Sequence, residues 1–579
     1  MRGAMNQRHD TGPVPPPRQG GPGRLHAHGY LTNHAALILL ALAVAPLPRP
    51  PALVAQQVVT TGGWQEATPG SELERYLRVL QLAGETPLYP WSVRGFSPEE
   101  IDHLAPRDTR HPWARWLRPP APRGPPGLEV AVLRPDVGVV YNSSFPWAHS
   151  DGVVWAGRGV TGVVQMGIQA RYGPLSLTLD PILFSAQNQA FALVPNGVAG
   201  AGQYRDATTP NTIDYPQRFG ATPYSRIDPG QSTLWLEAFG LEAGVSTAQQ
   251  LWGPGITQQL VLSNAGPGYL HVFVGTSRPL DLWIGHLHGR IETGKLEQSA
   301  YSPMPPAQGT RLMSGAVITF VPRWTPGLEV GLARFFEQFW QGWHLSDLLI
   351  PFQGFLSTQI NLARKYDPNS PDYAPQHQTA SVFARWAFPA SGFELFGEFA
   401  RDDRNYNLRD LLGEPDHISG YLLGFMKTVR RMDGNLVAFR AEIVNGRTTD
   451  LARVRGEAPF YVHTPILQGN TNRGIILGSP LLAAGGSGEV LGMDRYQPDG
   501  RWTVEASRAA YPVAPYQEGA PTGGWNVDYA LRVERLLFLH GWDLTAAVTG
   551  VYELNHNFAR DAFNLRLDLG TRVGLDWLK

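Results

Sequence analysis

Two short stretches hold the side chains best equipped for chemistry. In LWGPGITQQLVLSNAGPGY, from Leu251 to Tyr269, Trp252 offers an aromatic face and Ser263 and Asn264 offer a hydroxyl and an amide. In GNTNRG, from Gly469 to Gly474, the Arg473 guanidinium sits among asparagines and glycines. Aromatic faces stack on C–H surfaces, amides and hydroxyls both donate and accept, and a guanidinium grips a carboxylate. Such a set suits a polyhydroxylated, acid-bearing ligand. Each residue has an architectural reading as well. Gly253-Pro254-Gly255 permits the backbone angles of a kinked strand anchored by Trp252. Ser263-Asn264 before Ala265-Gly266-Pro267-Gly268 suits a turn in which the amide bonds its own backbone. Arg473 can lock a network with buried carboxylates instead of holding a ligand.

Other chemistries find less support. The segment RFFEQFWQGWHLSDLLIPF, Arg334 to Phe352, gathers Phe335, Phe336, Phe339, Trp340 and Trp343. It reads as an interfacial girdle, a plug or a sugar platform. His286 and His288 share a strand face but lack a third metal ligand, and the Asp367–Asp372 loop lacks the twelve-residue calcium spacing. No Gly-x-Ser-x-Gly elbow, His-Glu-x-x-His helix or phosphate loop occurs in the chain. We therefore expect no catalytic residues, metal or cofactor; an esterase with a Ser–His pair on barrel strands is the enzymatic alternative.

The elements that position these residues follow from composition and period. With 64 glycines and 50 prolines the chain must turn often, and its 17 Trp, 20 Tyr and 24 Phe suit a large core, a sugar-binding surface or the girdles of a membrane barrel. No apolar run reaches the ~18 residues of a spanning helix. The apolar block Ala35–Leu47 follows Arg18 and Arg24 and precedes a proline-rich stretch, which predicts a signal peptide with a long leader over residues 1–55. Without cysteine there is no disulfide and no lipidated anchor. Residues 56–579 carry a net charge of about −5, with no basic stripe for nucleic acid.

Ser71-Glu72-Leu73-Glu74 predicts a capping box and a helix burying Leu73, Tyr76, Leu77 and Leu80, stopped at Gly84. Ser97-Pro98-Glu99-Glu100 predicts a second helix, and the break Pro119–Pro126 ends this element. From Leu128 the period becomes two. In FNLRLDLGTRVGLDW one row carries Phe563, Leu565, Leu567, Leu569 and Val573, the other Asn564, Arg566, Asp568 and Arg572. Trp542–Leu554 alternates likewise, and hairpins are predicted about Tyr172-Gly173, Thr325-Pro326-Gly327, Pro389–Gly392, Met432-Asp433-Gly434 and His540-Gly541. A strand kept in phase this long is enough to cross a bilayer, and the cost of a lipid-facing Arg, ~2–4 kcal/mol, turns the charged row inward. The reading is a mainly β protein, a transmembrane antiparallel β-barrel of about 18 strands over residues 127–579, preceded by a helical element and linker over 56–126. Near the opening stretch, Leu234–Phe239 and Leu241–Gln249 predict a hairpin, with pairing interrupted at Trp252–Gly255 and resumed at Gln259–Leu262.

Trp252-Gly253-Pro254-Gly255 followed by Leu260-x-Leu262-Ser263-Asn264-Ala265 resembles the Wzi-type capsule assembly proteins. A second segment is similar to that family's pattern: Tyr461-x-His463, then Gly469-x-Thr471-x-Arg473-Gly474, then Leu477-Gly478. Asn472 departs from it, since His is expected there. The Arg385–Pro389 hairpin with Glu394 and Glu398, the Tyr421–Lys427 strand and the helical element extend the likeness over most of residues 70–577. The resemblance implies a monomeric eighteen-stranded outer-membrane barrel with a periplasmic helical element. It implies a lectin-like, non-catalytic protein that helps retain capsular or exopolysaccharide at the cell surface. Its ligand-binding candidates are Trp252, Asn264, His463, Thr471 and Arg473. Its partners are surface polysaccharide, outer-membrane lipid and the barrel-assembly machinery. An outer-membrane porin or substrate-specific channel is the alternative that the polar inward row supports.

Overall fold

The computed structural model describes residues 67–107, 109–117, 127–148, 151–352, 374–402, 408–446, 458–483, 485–511, 526–539 and 541–574. The expected leader, the break at 119–126, the loop at 367–372, His540 and the residues from Leu575 lie outside them. The chain divides into Met1–Ala55 and Gln56–Lys579, and all described residues belong to the second unit.

Two helices open the described chain, α1 (Glu72–Leu82) and α2 (Pro98–Leu104). On α1, Leu73, Tyr76, Leu77 and Leu80 are buried, and Gly84 takes a left-handed φ of 73°. Its cap is only half of the expected box. Ser71 accepts from the Glu74 amide at 3.3 Å, but the Glu74 carboxylate accepts from the Trp91 indole at 2.7 Å instead of returning to the cap. A buried indole N–H requires an acceptor, and Glu74 meets that need. On α2 both arms close: Ser97 accepts from the Glu100 amide at 3.3 Å and Glu100 from the Ser97 amide at 2.7 Å, with Pro98 in the first turn.

From Leu128 the alternating sequence forms one ring of antiparallel strands. Neighbours in sequence pair across tight turns, as in Gln376–Phe388 with Phe393–Asp402 and Ser419–Arg430 with Leu436–Asn445. Several spans are interrupted once: Leu128–Val132 continues as Asp136–Asn142, Gly159–Gln165 as Ile168–Tyr172, Leu175–Leu179 as Ile182–Ala186, Tyr224–Asp228 as Thr233–Ala238, and Leu270–Gly275 as Leu280–Leu282. The final strand, Arg560–Val573, pairs with Trp542–His556 on one side. On the other it pairs with Asp136–Asn142, in register from Arg566 opposite Asn142 to Arg572 opposite Asp136. First and last spans thus meet, which leaves the sheet no open edge.

The two rows segregate as the charges require. Leu395, Leu423, Leu491, Leu531, Val548 and Leu569 are exposed on the outer face, while Glu398, Arg440, Asp494, Arg532 and Arg566 are buried on the inner one. Exposed aromatics fall at two levels. Tyr172, Trp283, Trp324, Trp386, Trp502 and Trp542 lie beside the short turns, and Tyr141, Phe399, Tyr421, Tyr529, Tyr552 and Phe563 lie towards the longer connections. This is the double girdle of a bilayer-spanning barrel.

Two long connections turn into the ring. Leu241–Ser246 pairs with Leu270–Gly275, so residues 247–269 leave the wall altogether. The expected resumption of pairing at Gln259–Leu262 does not occur. Leu251–Trp252 pairs instead with Val93–Arg94 of the helical element, and Trp252 makes a single bridge to Leu262. Gly253-Pro254-Gly255 cannot continue a ladder, since Pro254 lacks a donor and Gly253 has a φ of 102°. The second inserted connection covers residues 458–486, including the short pair Thr471–Asn472 with Ile475–Ile476.

Candidate functional site

The inner wall offers carboxylates, and the inserted segments and the helical element offer backbone amides that lack strand partners. Glu329 accepts from the Trp91 and Ser92 amides, each at 2.9 Å. Glu442 accepts from the Ile256 and Thr257 amides, each at 2.6 Å, and Asp402 from the Tyr461 amide at 2.8 Å. Wall guanidiniums take the opposite groups: Arg311 donates to the Gly469 carbonyl at 2.6 Å and the Thr471 carbonyl at 2.5 Å, and Arg290 to the Gly95 carbonyl at 3.0 Å. Charge-assisted bonds of this kind are roughly twice as strong as neutral ones, and they satisfy irregular backbone that water would otherwise have to solvate.

The helices bind the same wall. Arg78 on α1 and Arg385 on the wall share Glu394, each at 2.7 Å, while Glu72 pairs with Arg501 at 2.9 Å. From α2, Asp102 reaches Arg171 at 3.4 Å, and the Glu99 amide donates to Glu237 at 3.1 Å. Helices and inserted segments therefore bridge spans on different sides of the ring. Burial, reinforced by the neighbouring Glu242 carboxylate, pushes Glu100 up to about 8, although Tyr89, Ser97 and Arg290 oppose the shift. Burial also lowers Arg94 to about 10.

The five candidates all lie on the inserted segments. Trp252 is wholly buried against Val261, Leu262, Tyr269, Met313, Val317 and Phe335, and its ring rests on Gly315, where an added Cβ would come within 2.5 Å of it. Its indole N–H is buried and has no acceptor. Asn264 is half-buried, with its amide against Gly70 and its carbonyl accepting from Gln249 at 3.2 Å. His463 is buried and stacks on wall residue His377 at 4.7 Å between ring centroids. Thr471 is buried and donates to the Gln468 carbonyl at 3.0 Å. Arg473, at a left-handed φ of 56°, is held by Glu297 at 3.0 Å and by Asp228.

The two motifs dock on each other. The Ser263 amide donates to the Leu477 carbonyl at 2.7 Å, and the Ser263 hydroxyl to the Gly478 carbonyl at 2.8 Å. Tyr461 donates to the Leu260 carbonyl, and Ser479 to Gln258 at 2.6 Å. Asn472, the departure from the family pattern, links them as well: it donates to the Gly268 carbonyl at 3.0 Å and accepts from the Glu297 amide at 2.9 Å. Trp252 and Asn264 are thereby brought into one body with Thr471 and Arg473. Sequence reasoning missed the wall groups that hold this body, Glu442, Asp402 and Arg311, and also Glu329, which holds the helical element at Trp91 and Ser92. Their inward parity was readable, but their partners are backbone amides and carbonyls, which carry no residue-type signal.

His286 and His288 separate in role. His286 is near Asp281 at 3.7 Å, whereas His288 contacts Thr276 at 2.7 Å and Glu100 at 3.3 Å.

No family model and no curated protein matches the chain in sequence. Among solved structures, the chain is similar to Wzi from Escherichia coli, an outer-membrane protein involved in group 1 capsule assembly and a carbohydrate-binding β-barrel. The TM-score is 0.58 at 12% identity, covering 88% of this chain and 99% of that one. OccK5 (OpdH) from Pseudomonas aeruginosa aligns with a TM-score of 0.38 at 11% identity, over 77% of this chain and 98% of that one. OccAB4 from Acinetobacter baumannii aligns with a TM-score of 0.36 at 12% identity, over 76% and 97%. The fold of this chain is thus that of a Wzi-like outer-membrane barrel.

Proposed function

We propose that this protein is an outer-membrane barrel that binds, and helps retain, an acidic surface polysaccharide, acting as a lectin and not as a catalyst. On this reading residues 1–55 are the export signal, the helical element lies on the periplasmic side with the short turns, and the long connections face outward. The ring, with its interrupted spans read as continuous, then has eighteen strands. The chain works as a monomer, its outer face meets outer-membrane lipid, and the barrel-assembly machinery inserts it.

One observation carries the choice of binder over channel. The inserted segments and helices cross the interior and are tied to the inner wall by charge-assisted bonds, such as Glu442 to the Ile256 and Thr257 amides at 2.6 Å. A diffusion pore needs an open polar lumen, whereas a surface-binding protein needs only a rigid platform. The likeness to a carbohydrate-binding barrel supports the same reading.

The test has two arms. Purified protein should retain an acidic capsule-like polymer on a glycan array or by sedimentation, and deleting its gene should release polymer from cells without stopping synthesis. Unchanged retention in the deletion strain would sink the proposal. Steady conductance steps from wild-type protein in a planar bilayer would favour the channel.

A further inference from the structure

Along the ring the outward row is largely apolar and exposed, and one buried patch departs from it. Gly315 faces Trp252, and Glu337 faces Arg311, which fixes the inward parity of Thr310–Pro322 and Leu328–Phe339. Ser314, Arg334 and Phe336 therefore point outward, and so does Gln378, the register partner of Phe336. On the same row, Leu332 and Val382 are exposed. Ser314, Arg334, Phe336 and Gln378 are nevertheless buried, Arg334 to 4% exposure.

Their cover is a short 3-10 run, Leu345–Phe352, from the connection after Phe339. The Pro351 carbonyl accepts from Arg334 at 3.0 Å, and Gln378 accepts from the same guanidinium at 2.8 Å. Arg334 also lies over the Phe336 ring, 4.5 Å from its centroid. Ser314 donates to the Asp347 carbonyl, and Ile350 packs with Leu312 and Phe336. The far side of the run is apolar: Leu345 is 86% exposed, Leu349 64% and Phe352 52%. Trp340 and Trp343 are exposed beside it.

Height decides what this surface meets. Leu328 pairs with Trp386 at the lower girdle. From there to Arg334 a strand rising ~3.3 Å per residue at a tilt of ~40° climbs about 15 Å, inside an apolar band of about 25 Å. A bare guanidinium has no place there.

We propose that Leu345–Phe352 is a lipid-facing clip. It folds back on the outside of the barrel, seals the polar patch of Ser314, Arg334 and Gln378, and presents Leu345, Leu349 and Phe352 to the acyl chains of the membrane. Its apolar face continues the belt formed by Leu332 and Val382, which is why the occupant is lipid hydrocarbon. The inference rests on the outer-membrane reading above, and the test separates the two.

Because the chain has no cysteine, single labels can be placed cleanly. Leu349→Cys, Leu423→Cys on the outer wall and Met432→Cys in a short turn are each labelled with an environment-sensitive fluorophore. The full-length proteins are then reconstituted into phosphatidylcholine vesicles containing nitroxide-labelled acyl chains. Quenching at position 349 should match that at 423 and exceed that at 432 several-fold. Quenching at 423 without quenching at 349 overturns the clip. Absence of quenching at 423 overturns the membrane reading, and the clip with it.

Discussion

At the scale of single residues, burial separates an architectural role from a ligand-contacting one. Trp252 is fully enclosed, so Trp252→Ala should destabilise the barrel by about 3–5 kcal/mol, read as a lower urea midpoint in detergent micelles. Trp252→Phe should cost less than half of that, because it keeps most of the ring and removes an indole N–H that has no acceptor. If Trp252→Phe abolished polymer binding with stability intact, Trp252 would be a contact and not an anchor. Asn472 makes a different prediction. Its amide donates to the Gly268 carbonyl of the first motif and accepts from the Glu297 amide of the wall, and a neutral histidine also offers one donor and one acceptor. Asn472→His should therefore fold with stability close to wild type, whereas Asn472→Asp, which loses the donor to the Gly268 carbonyl, should lower the midpoint. Glu100 supplies the pH dependence. Its folded value of about 8 exceeds the ordinary 4.5, so the folded state binds the proton more tightly than the unfolded one. Stability from this group therefore falls as pH rises from about 4.5 to about 8. Glu100→Gln should flatten that slope when urea midpoints are compared at pH 5 and pH 8, and an unchanged slope would count against a shifted Glu100.

At the scale of elements, legibility followed the type of partner each residue has. The two helices, the hairpins about Pro389–Gly392 and Met432–Gly434 and the inward charged row were readable because each follows from neighbouring residues or a period of two. The half-open cap on α1 was not, because Glu74 is drawn to a distant indole at Trp91. The departure of residues 247–269 from the wall was also hidden. Gln259–Leu262 alternates like a strand, but its partners are inserted chain and the Glu398 carboxylate, which accepts from the Leu260 amide at 3.4 Å. Of the candidate residues, the motif spacing identified the segments but not their docking. Glu442→Ala tests the joint that docking depends on. It leaves the Ile256 and Thr257 amides without their acceptor, and losing two charge-assisted bonds should loosen the first inserted segment by about 3 kcal/mol or more. Accelerated amide hydrogen exchange at residues 253–262, with the wall strands still protected, is the expected result. Uniform protection across both would show that the segment stays put without Glu442.

At the scale of the whole molecule, the property hardest to read from sequence is closure, because it depends on strands separated by nearly the length of the chain. The last span pairs with the first through Val139 opposite Leu569, both exposed on the outer face. Directly opposed Cα atoms in such a ladder lie about 4.5–5.5 Å apart, within the range that a disulfide bridges. In a chain without cysteine, Val139→Cys combined with Leu569→Cys can form only that one intramolecular bond. Oxidation should give a species that migrates faster on denaturing gels after boiling, since the linked chain cannot fully extend. The link encloses most of the sequence, so loop-closure entropy predicts a stabilisation of about 6 kcal/mol against unfolding. Val139→Cys with Leu531→Cys serves as the control, because Leu531 lies on a span that does not pair with the first. Equal cross-linking of both pairs would mean that the ends meet by chance collision and not in register. Selective, rapid linkage of 139 to 569 would establish that the ring is closed in the folded protein, which the platform proposed for polysaccharide binding requires.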